Sequence, residues 1–292
     1  MDKYEKEAQL GQGTYGTVRR YRHLRTGELV AIKKMRGRFE TWRDCVALAE
    51  VKALKYLRHK NIVKLKEVIR EEQRLYLVFE YMQENLHEVI TRRTEAQSPF
   101  PESTIRSMMY QALSGLAHLH QHDVFHRDLK PENLLVTGEV LKIGDFGLAR
   151  SVVTGPPYTE YISSRWYRAP EVLLKNGVYG PAIDMWAIGT IMAEMYGLAP
   201  LFAGENEIDQ LRQIARFLGP PTEDVWPDGL RFAAILPGGV DHRPVMEKLA
   251  DALPQASLEA LQLLHDLLQY NPNKRPSATE ALHYPFFQSA LR

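Results

Sequence analysis

The sequence predicts an α+β protein of two unequal lobes: a small antiparallel-sheet N-terminal lobe with one main helix, and a larger, mainly helical C-terminal lobe. Three observations predict it. Short β-rich runs separated by turn residues crowd the first third of the chain, apolar residues at helical spacing dominate the remainder, and the character changes near Tyr81 to Asn85. A chain of 292 residues is also long enough for two packed lobes, which we place at 1–82 and 83–292.

Thr17 to Tyr21 and Leu29 to Lys33 read as strands joined through a turn at Thr26-Gly27. A helix is expected from Trp42 to Leu57, because Val46, Val51, Leu54 and Leu57 recur at roughly helical spacing. Two more strands follow, near Ile62 to Val68 and Leu75 to Phe79. In the second lobe, Pro101-Glu102-Ser103 reads as a helix start, and Ile105, Met108, Leu113, Leu116 and Leu119 form its apolar stripe. Between Asn133 and Asp145 the run LLVTGEVLKIG reads as two short strands turning around Thr137-Gly138-Glu139. Ile183 to Met195 is apolar nearly all round, the pattern of a buried helix, and Leu258, Leu261, Leu264 and Leu268 mark another.

Composition narrows the function classes. Hydrophobic residues at 45% and charged residues at 25% are ordinary for a soluble globular protein. A formal net charge of +1 offers no bulk field for DNA, RNA or an acidic membrane, so no nucleic-acid partner is expected. No apolar run is long enough to span a bilayer, and the charged start MDKYEKEAQL resembles neither a signal nor a transit peptide. The single cysteine, Cys45, cannot form an internal disulfide, which fits a reducing, cytoplasmic setting.

The chemistry is carried by a set of short motifs. In Gly11-Gln12-Gly13-Thr14-Tyr15-Gly16 the glycines let backbone approach phosphate oxygens without a side-chain clash. The rival reading is a dinucleotide-binding fingerprint, whose last glycine opens a helix; here Gly16 leads into the strand-like Thr17 to Tyr21, and no GK[ST] motif occurs. The pattern fits a hairpin folded over a nucleotide. Lys33 ends the strand Val30-Ala31-Ile32-Lys33, where it can reach nucleotide phosphates, and Glu50 in the following helix is the best candidate to hold its charge.

His126-Arg127-Asp128-Leu129-Lys130-Pro131-Glu132-Asn133 is the strongest run. An aspartate can accept the proton of an attacking hydroxyl, a lysine two residues on can neutralise a migrating phosphoryl group, and an asparagine can offer Mg²⁺ a hard oxygen. Asp145-Phe146-Gly147 follows; a hairpin turning at Glu139 brings Asn133 and Asp145 together at its open end as metal ligands.

Together these motifs resemble the signature set of the eukaryotic protein kinases, over about residues 4–287. The resemblance implies the two-lobed protein kinase fold, ATP and Mg²⁺ as cofactors, and protein substrates. Ala169-Pro170-Glu171 resembles an element whose glutamate pairs with a distant arginine, here Arg275, and Asp184 resembles the buried aspartate that anchors the catalytic loop. By the same resemblance Phe79 is the gatekeeper and Glu80 and Met82 give hinge backbone contacts to adenine. Leu10, Val18, Ala31 and Leu135 sandwich the base, and Leu54, Leu65, His126 and Phe146 stack as the regulatory spine; the plainer reading of these positions is hydrophobic core, and both readings can hold at once. Lys130 in HRDLKPEN is similar to serine/threonine kinases. Trp166-Tyr167-Arg168-Ala169-Pro170-Glu171 is similar to the CMGC group, in which the arginine, here Arg168, helps favour proline after the target residue. PPYTEYISSRWYRAPEVLL and RFETWRDCVALAEVKALKYLRHKNIVKLKEVIRE are most similar to the male-germ-cell-associated, intestinal-cell and MOK kinases, a resemblance that suggests a role in cilium or flagellum length control and a cytoplasmic, ciliary or nuclear location.

Regulation follows from the same resemblance. Phosphate on Thr159 of Thr159-Glu160-Tyr161, added by an upstream kinase, would be clamped by Arg127 and Arg150, with Tyr161 as a second modified position. Relatives carry an arginine before the helix glutamate, where this chain has Ala49, so weaker coupling between phosphorylation and helix placement is expected. Ser164 replaces a usual threonine. Thr14 and Tyr15 match positions phosphorylated in cyclin-dependent kinases, but the cyclin-binding helix sequence is missing and no cyclin is expected. The alternatives are a catalytically silent scaffold with the same fold, against which stand Lys33, Glu50, Asp128, Asn133 and Asp145, and a nicotinamide-dependent oxidoreductase, against which stands the lack of a helix after the glycines.

Overall fold

Five runs pair into one antiparallel sheet. They are β1 (Tyr4–Gln12), β2 (Gly16–His23), β3 (Leu29–Met35), β4 (Leu65–Glu71) and β5 (Arg74–Glu80), in the order β1-β2-β3-β5-β4. The structure, a computed structural model, describes residues 1–12, 16–154, 165–174, 177, 179–229 and 243–288. Gly13, Thr14, Tyr15, Thr159, Tyr161 and Ser164 lie outside the described residues.

The expected strands at 17–21, 29–33 and 75–79 lie within β2, β3 and β5. The strand expected from Ile62 begins only at Leu65. Ile62 and Val63 serve the other lobe instead: Val63 N donates to the Ile143 carbonyl at 2.9 Å, and Ile143 N donates to the Asn61 carbonyl at 2.9 Å. The helix expected from Trp42 to Leu57 is two helices, α1 (Trp42–Ala47) and α2 (Ala49–Tyr56), broken at Leu48 where ψ is 137°. A reciprocal capping box between Thr41 and Asp44 starts α1, and α2 turns Glu50, Val51 and Leu54 inward.

The larger lobe begins with β6 (Glu84–Asn85) and α3 (Leu86–Glu95), whose start is capped reciprocally by Asn85 and Glu88. In α4 (Glu102–Gln121), Pro101 occupies the cap position with no side-chain bond, and Ser103 lies within the helix rather than capping it. The expected hairpin is present as β8 (Leu134–Thr137) and β9 (Val140–Ile143), with Thr137 opposite Val140, while β7 (Val124–Phe125) pairs with β10 (Arg150–Ser151). Further helices are α5 (Pro170–Leu173), α6 (Ala182–Gly197), α7 (Glu207–Leu218), α8 (Val245–Ala252), α9 (Leu258–Leu267), α10 (Ala278–Ala281) and α11 (Pro285–Gln288).

Every residue of α6 from Ile183 to Tyr196 is buried, so the lobe is built around it. Three of its buried polar side chains are partnered: Thr190 Oγ1 donates to the Ala187 carbonyl at 2.8 Å, and Asp184 and Glu194 accept the bonds described below, whereas the buried Trp186 indole N–H has no hydrogen-bond partner among the described residues. Beside it Arg275 and Glu171 form a buried bidentate pair at 2.6 and 2.8 Å. Among the described residues no helix is long and apolar enough to cross a membrane.

Candidate active site

A cleft of about 500 Å³ runs between the sheet and the helical lobe. Leu10, Gly11, Gly16, Val18, Ala31, Phe79, Glu80, Met82 and Leu135 line it, with Lys33, Glu50, Lys130, Asn133 and Asp145. Gly16 must be glycine, because a Cβ there would lie 2.2 Å from the Lys34 carbonyl oxygen. The space beside Gly11 is open, so backbone is presented to the cleft without obstruction.

Three charges converge in the cleft. The alternation of β3 turns Lys33 inward, and Glu50 meets it from the first turn of α2. Lys33 Nζ donates to both Glu50 oxygens at 3.0 and 2.9 Å and to Asp145 Oδ1 at 2.8 Å. Burial opposes the lysine's charge, but the two carboxylates outweigh it and hold its pKa above the ordinary value. Burial also works against Asp145, yet Lys33 keeps that carboxyl below its usual range. Glu50 bears the remaining cost: burial pushes it up, and the ammonium offsets this only in part.

The second group rests on Asp184 of α6. Its Oδ2 accepts from His126 N at 2.8 Å and its Oδ1 from Arg127 N at 2.9 Å, so one buried carboxylate fixes the loop before Asp128. Arg127 is held there at φ 74°, in the left-handed region that costs a side-chain-bearing residue energy. His126 Nε2 donates to the Gly144 carbonyl at 2.8 Å and Nδ1 accepts from Asp128 N at 3.3 Å, which sets the neutral tautomer. Its ring meets Phe146 edge-on at 5.1 Å, with Leu54 and Leu65 in the same core.

Lys130 Nζ lies 3.0 Å from Asp128 Oδ2. Asn133 Nδ2 donates to the Asp128 carbonyl at 2.7 Å and to Asp128 Oδ2 at 3.2 Å. With its amide protons used this way, Asn133 offers its oxygen as a ligand. Asn133 and the Asp145 carboxylate therefore fit Mg²⁺, a hard cation that takes one or two protein oxygens plus phosphate and water.

Of the predicted regulatory residues, Arg127 donates to the Tyr179 hydroxyl at 2.6 Å and Arg150 to the Ala149 carbonyl at 3.2 Å. Thr159, which they are expected to clamp, lies outside the described residues. Arg168 Nη1 reaches Glu207 Oε1 at the start of α7 at 3.4 Å.

Three features escaped the sequence reading. The Glu80 side chain ties the lobes together: it accepts from Lys64 N at 2.7 Å and pairs with Lys142 Nζ at 2.8 Å. Gln210 of α7, fully buried, donates to the Trp166 and Phe202 carbonyls at 3.2 and 3.1 Å and accepts from Gly204 N at 2.8 Å, fixing the segment that carries Arg168. A buried glutamine in an otherwise apolar helix stripe was the available signal. The third is Glu194, which accepts from the Tyr167 hydroxyl at 2.8 Å.

Burial pushes Glu194 up to about 7, the Tyr167 bond lowers it, and the Glu132 charge raises it. A raised carboxyl pKa favours the neutral form in the fold. Its contribution is therefore complete below the unfolded value of 4.5 and is lost as pH rises through about 7. Glu194→Gln keeps an acceptor for Tyr167 and removes the charge. It is expected to stabilise the protein by about 1–3 kcal/mol at pH 8 and by little at pH 4.5. Denaturation midpoints of both proteins across this range check it; parallel pH curves would contradict the assignment.

Comparison with known proteins agrees with this geometry. A family model described as Protein kinase domain matches residues 4–287. Serine/threonine-protein kinase ICK of Rattus norvegicus is 53% identical over 289 residues, 99% of this chain and 45% of the relative. Serine/threonine-protein kinase MAK of Homo sapiens is 50% identical over 289 residues, 99% of this chain and 46% of the relative. Cyclin-dependent kinase F-3 of Oryza sativa subsp. japonica is 49% identical over 287 residues, 98% of this chain and 65% of the relative. The chain thus spans about half the length of the ICK and MAK relatives. On the family match and these relatives, the chain belongs to the protein kinase family, in the CMGC branch of the ICK and MAK serine/threonine kinases.

Proposed function

We propose that this chain transfers the γ-phosphoryl group of ATP to serine or threonine hydroxyls of protein substrates. The observation that carries the reading is the convergence in one cleft of the Lys33–Glu50–Asp145 cluster with Lys130 and Asn133, both of which contact the Asp128 carboxylate.

In this reading the substrate hydroxyl oxygen attacks the γ-phosphorus in line as the bond to the β,γ-bridging oxygen breaks, leaving ADP. Asp128 receives the hydroxyl proton. Lys130 offsets charge on the migrating group, and Lys33, held by Glu50, orients the phosphates. Asn133 and Asp145 would hold Mg²⁺, which supplies further positive charge against the phosphate oxygens. Leu10, Val18, Ala31 and Leu135 enclose the adenine, and the backbone of Glu80 and Met82 faces its edge beside Phe79.

Arg168 makes the activity proline-directed, and an upstream kinase activates it through Thr159, with Tyr161 as a second modified position, without a cyclin. A cytoplasmic protein that reaches the cilium or nucleus and acts in cilium length control completes the reading, supported by the similarity to ICK and MAK.

Phosphorylation of a degenerate peptide library with radiolabelled ATP is the test. Transfer to serine and threonine peptides, enriched for proline at the next position, is expected, with turnover of about 1–100 s⁻¹ once activated. Transfer without proline enrichment would remove the role given to Arg168; no transfer at all would sink the activity.

A further inference from the structure

The near-neutral whole conceals a polarised molecule. Residues 1–82 hold 19 Lys and Arg against 11 Asp and Glu, whereas residues 83–292 hold 18 against 25. Several of the small lobe's cations lie on or beside its two helices. On α2, Glu50, Val51 and Leu54 turn into the core, and Lys52, Lys55 and Tyr56 stand exposed opposite them at i, i+3 and i+4. Arg43 on α1 and Arg58 and Lys60 just beyond α2 are also exposed.

Among the described residues no carboxylate lies within ion-pairing distance of these five cations. The Asp44 carboxylate, beside Arg43, accepts from Thr41 N at 2.8 Å as the cap of α1. Tyr56 stands among the α2 cations, 72% exposed and with Lys55 Nζ 5.5 Å from its ring centroid, and Trp42 at the start of α1 is 53% exposed. Exposed aromatics beside unpaired cations leave both apolar and charged surface uncovered, the composition of a recognition face rather than a merely solvated one.

We propose that the outer face of α2 docks an acidic, partly apolar helical segment of another protein. Lys52 and Lys55 are spaced one helical turn apart, which matches carboxylates at i, i+3 and i+4 of a facing helix, while Tyr56 covers its apolar positions. A single convex helix face does not form a groove along which a nucleic-acid backbone could run. Because α2 also carries Glu50, the docked segment lies on the helix that holds Lys33. Docking does not depend on phosphoryl transfer, so the test reads binding alone.

The probe is a fluorescent acidic peptide of about 16 residues, long enough to form a helix, with glutamates at i, i+3 and i+4 and one leucine per turn. Anisotropy with the whole chain is expected to show saturable binding that weakens with salt. Lys52→Glu with Lys55→Glu should weaken it at least about tenfold, and Tyr56→Ser about threefold. Lys6→Glu with Arg25→Glu makes the same charge change on β1 and on the turn after β2, and should change binding by less than about twofold.

Equal loss from both pairs would reduce the effect to a bulk field and overturn the proposal. Tighter binding of a single-stranded oligonucleotide or of phosphatidylserine vesicles through Lys52 and Lys55 would overturn it too. If the glutamate pair unfolds the chain, Lys52→Gln with Lys55→Gln gives the same comparison with less disruption; unchanged peptide binding in that variant would also overturn it.

Discussion

Asp128→Asn is expected to lower phosphoryl transfer by about 10²- to 10⁴-fold, the usual contribution of a positioned general base. The substitution keeps the volume, and an amide oxygen can still face Lys130, which lies 3.0 Å from the present carboxylate. The loss should therefore appear in kcat, with the ATP KM and the denaturation midpoint nearly unchanged, because neither the adenine enclosure nor the Asp184 anchor is touched. Radiolabel transfer to a generic basic protein by both forms, after phosphorylation of Thr159, checks it. Equal, background-level transfer by the two would favour the scaffold reading; equal, substantial transfer would remove Asp128 from the proton path.

The largest effect on stability is expected at Arg275. Its guanidinium is fully enclosed, pairs with both Glu171 oxygens and donates to the carbonyls of Gln269, Ala182 and Tyr270 at 2.8, 3.0 and 3.0 Å. It also lies 5.1 Å from the Trp186 ring centroid. Arg275→Met leaves Glu171 as a buried charge without its cation, which costs about 3–5 kcal/mol. That is a large fraction of the stability of a typical domain. Adding Glu171→Gln should return part of the loss, because the stranded charge rather than the missing attraction carries the penalty. Urea denaturation of wild type, single and double variants measures this; a double variant no more stable than the single one would refute it.

The parts that were legible from sequence are those whose local pattern agrees with their place in the fold. Lys33 lies in a strand whose pleat turns it inward, and Glu50 lies on the buried side of the helical stretch that follows, so their pairing could be anticipated. The span Ile183 to Met195 announced its burial by being apolar on every side. The break at Leu48 was not legible, because Val46, Val51, Leu54 and Leu57 keep one apolar period across both helices and hide the change of axis. Nor was β1, whose residues are mostly exposed, or α3, whose Asn85–Glu88 cap was present but accompanied by a short apolar stripe. Ile62 and Val63 look like strand residues and serve instead as a bridge to β9, a tertiary demand that no local pattern records. Asp184 was placed only through resemblance. The bonds of Glu80 and Glu194 join residues far apart in the chain and carry no local mark, and the polar residue in the apolar stripe at Gln210 marks its position without naming its partners.

The Asp184 anchor has a mechanical consequence. The aspartate that holds His126 and Arg127 belongs to the most deeply enclosed helix of the protein, so the proton-accepting half of the cleft inherits the rigidity of the lobe's centre. The phosphate-orienting half hangs on α2, a helix of eight residues with a break before it and solvent on its outer side. One jaw is stiff and the other compliant. A signal that governs such a machine has to act only on the soft jaw, while inherited damage to the stiff one would be felt as loss of the whole fold.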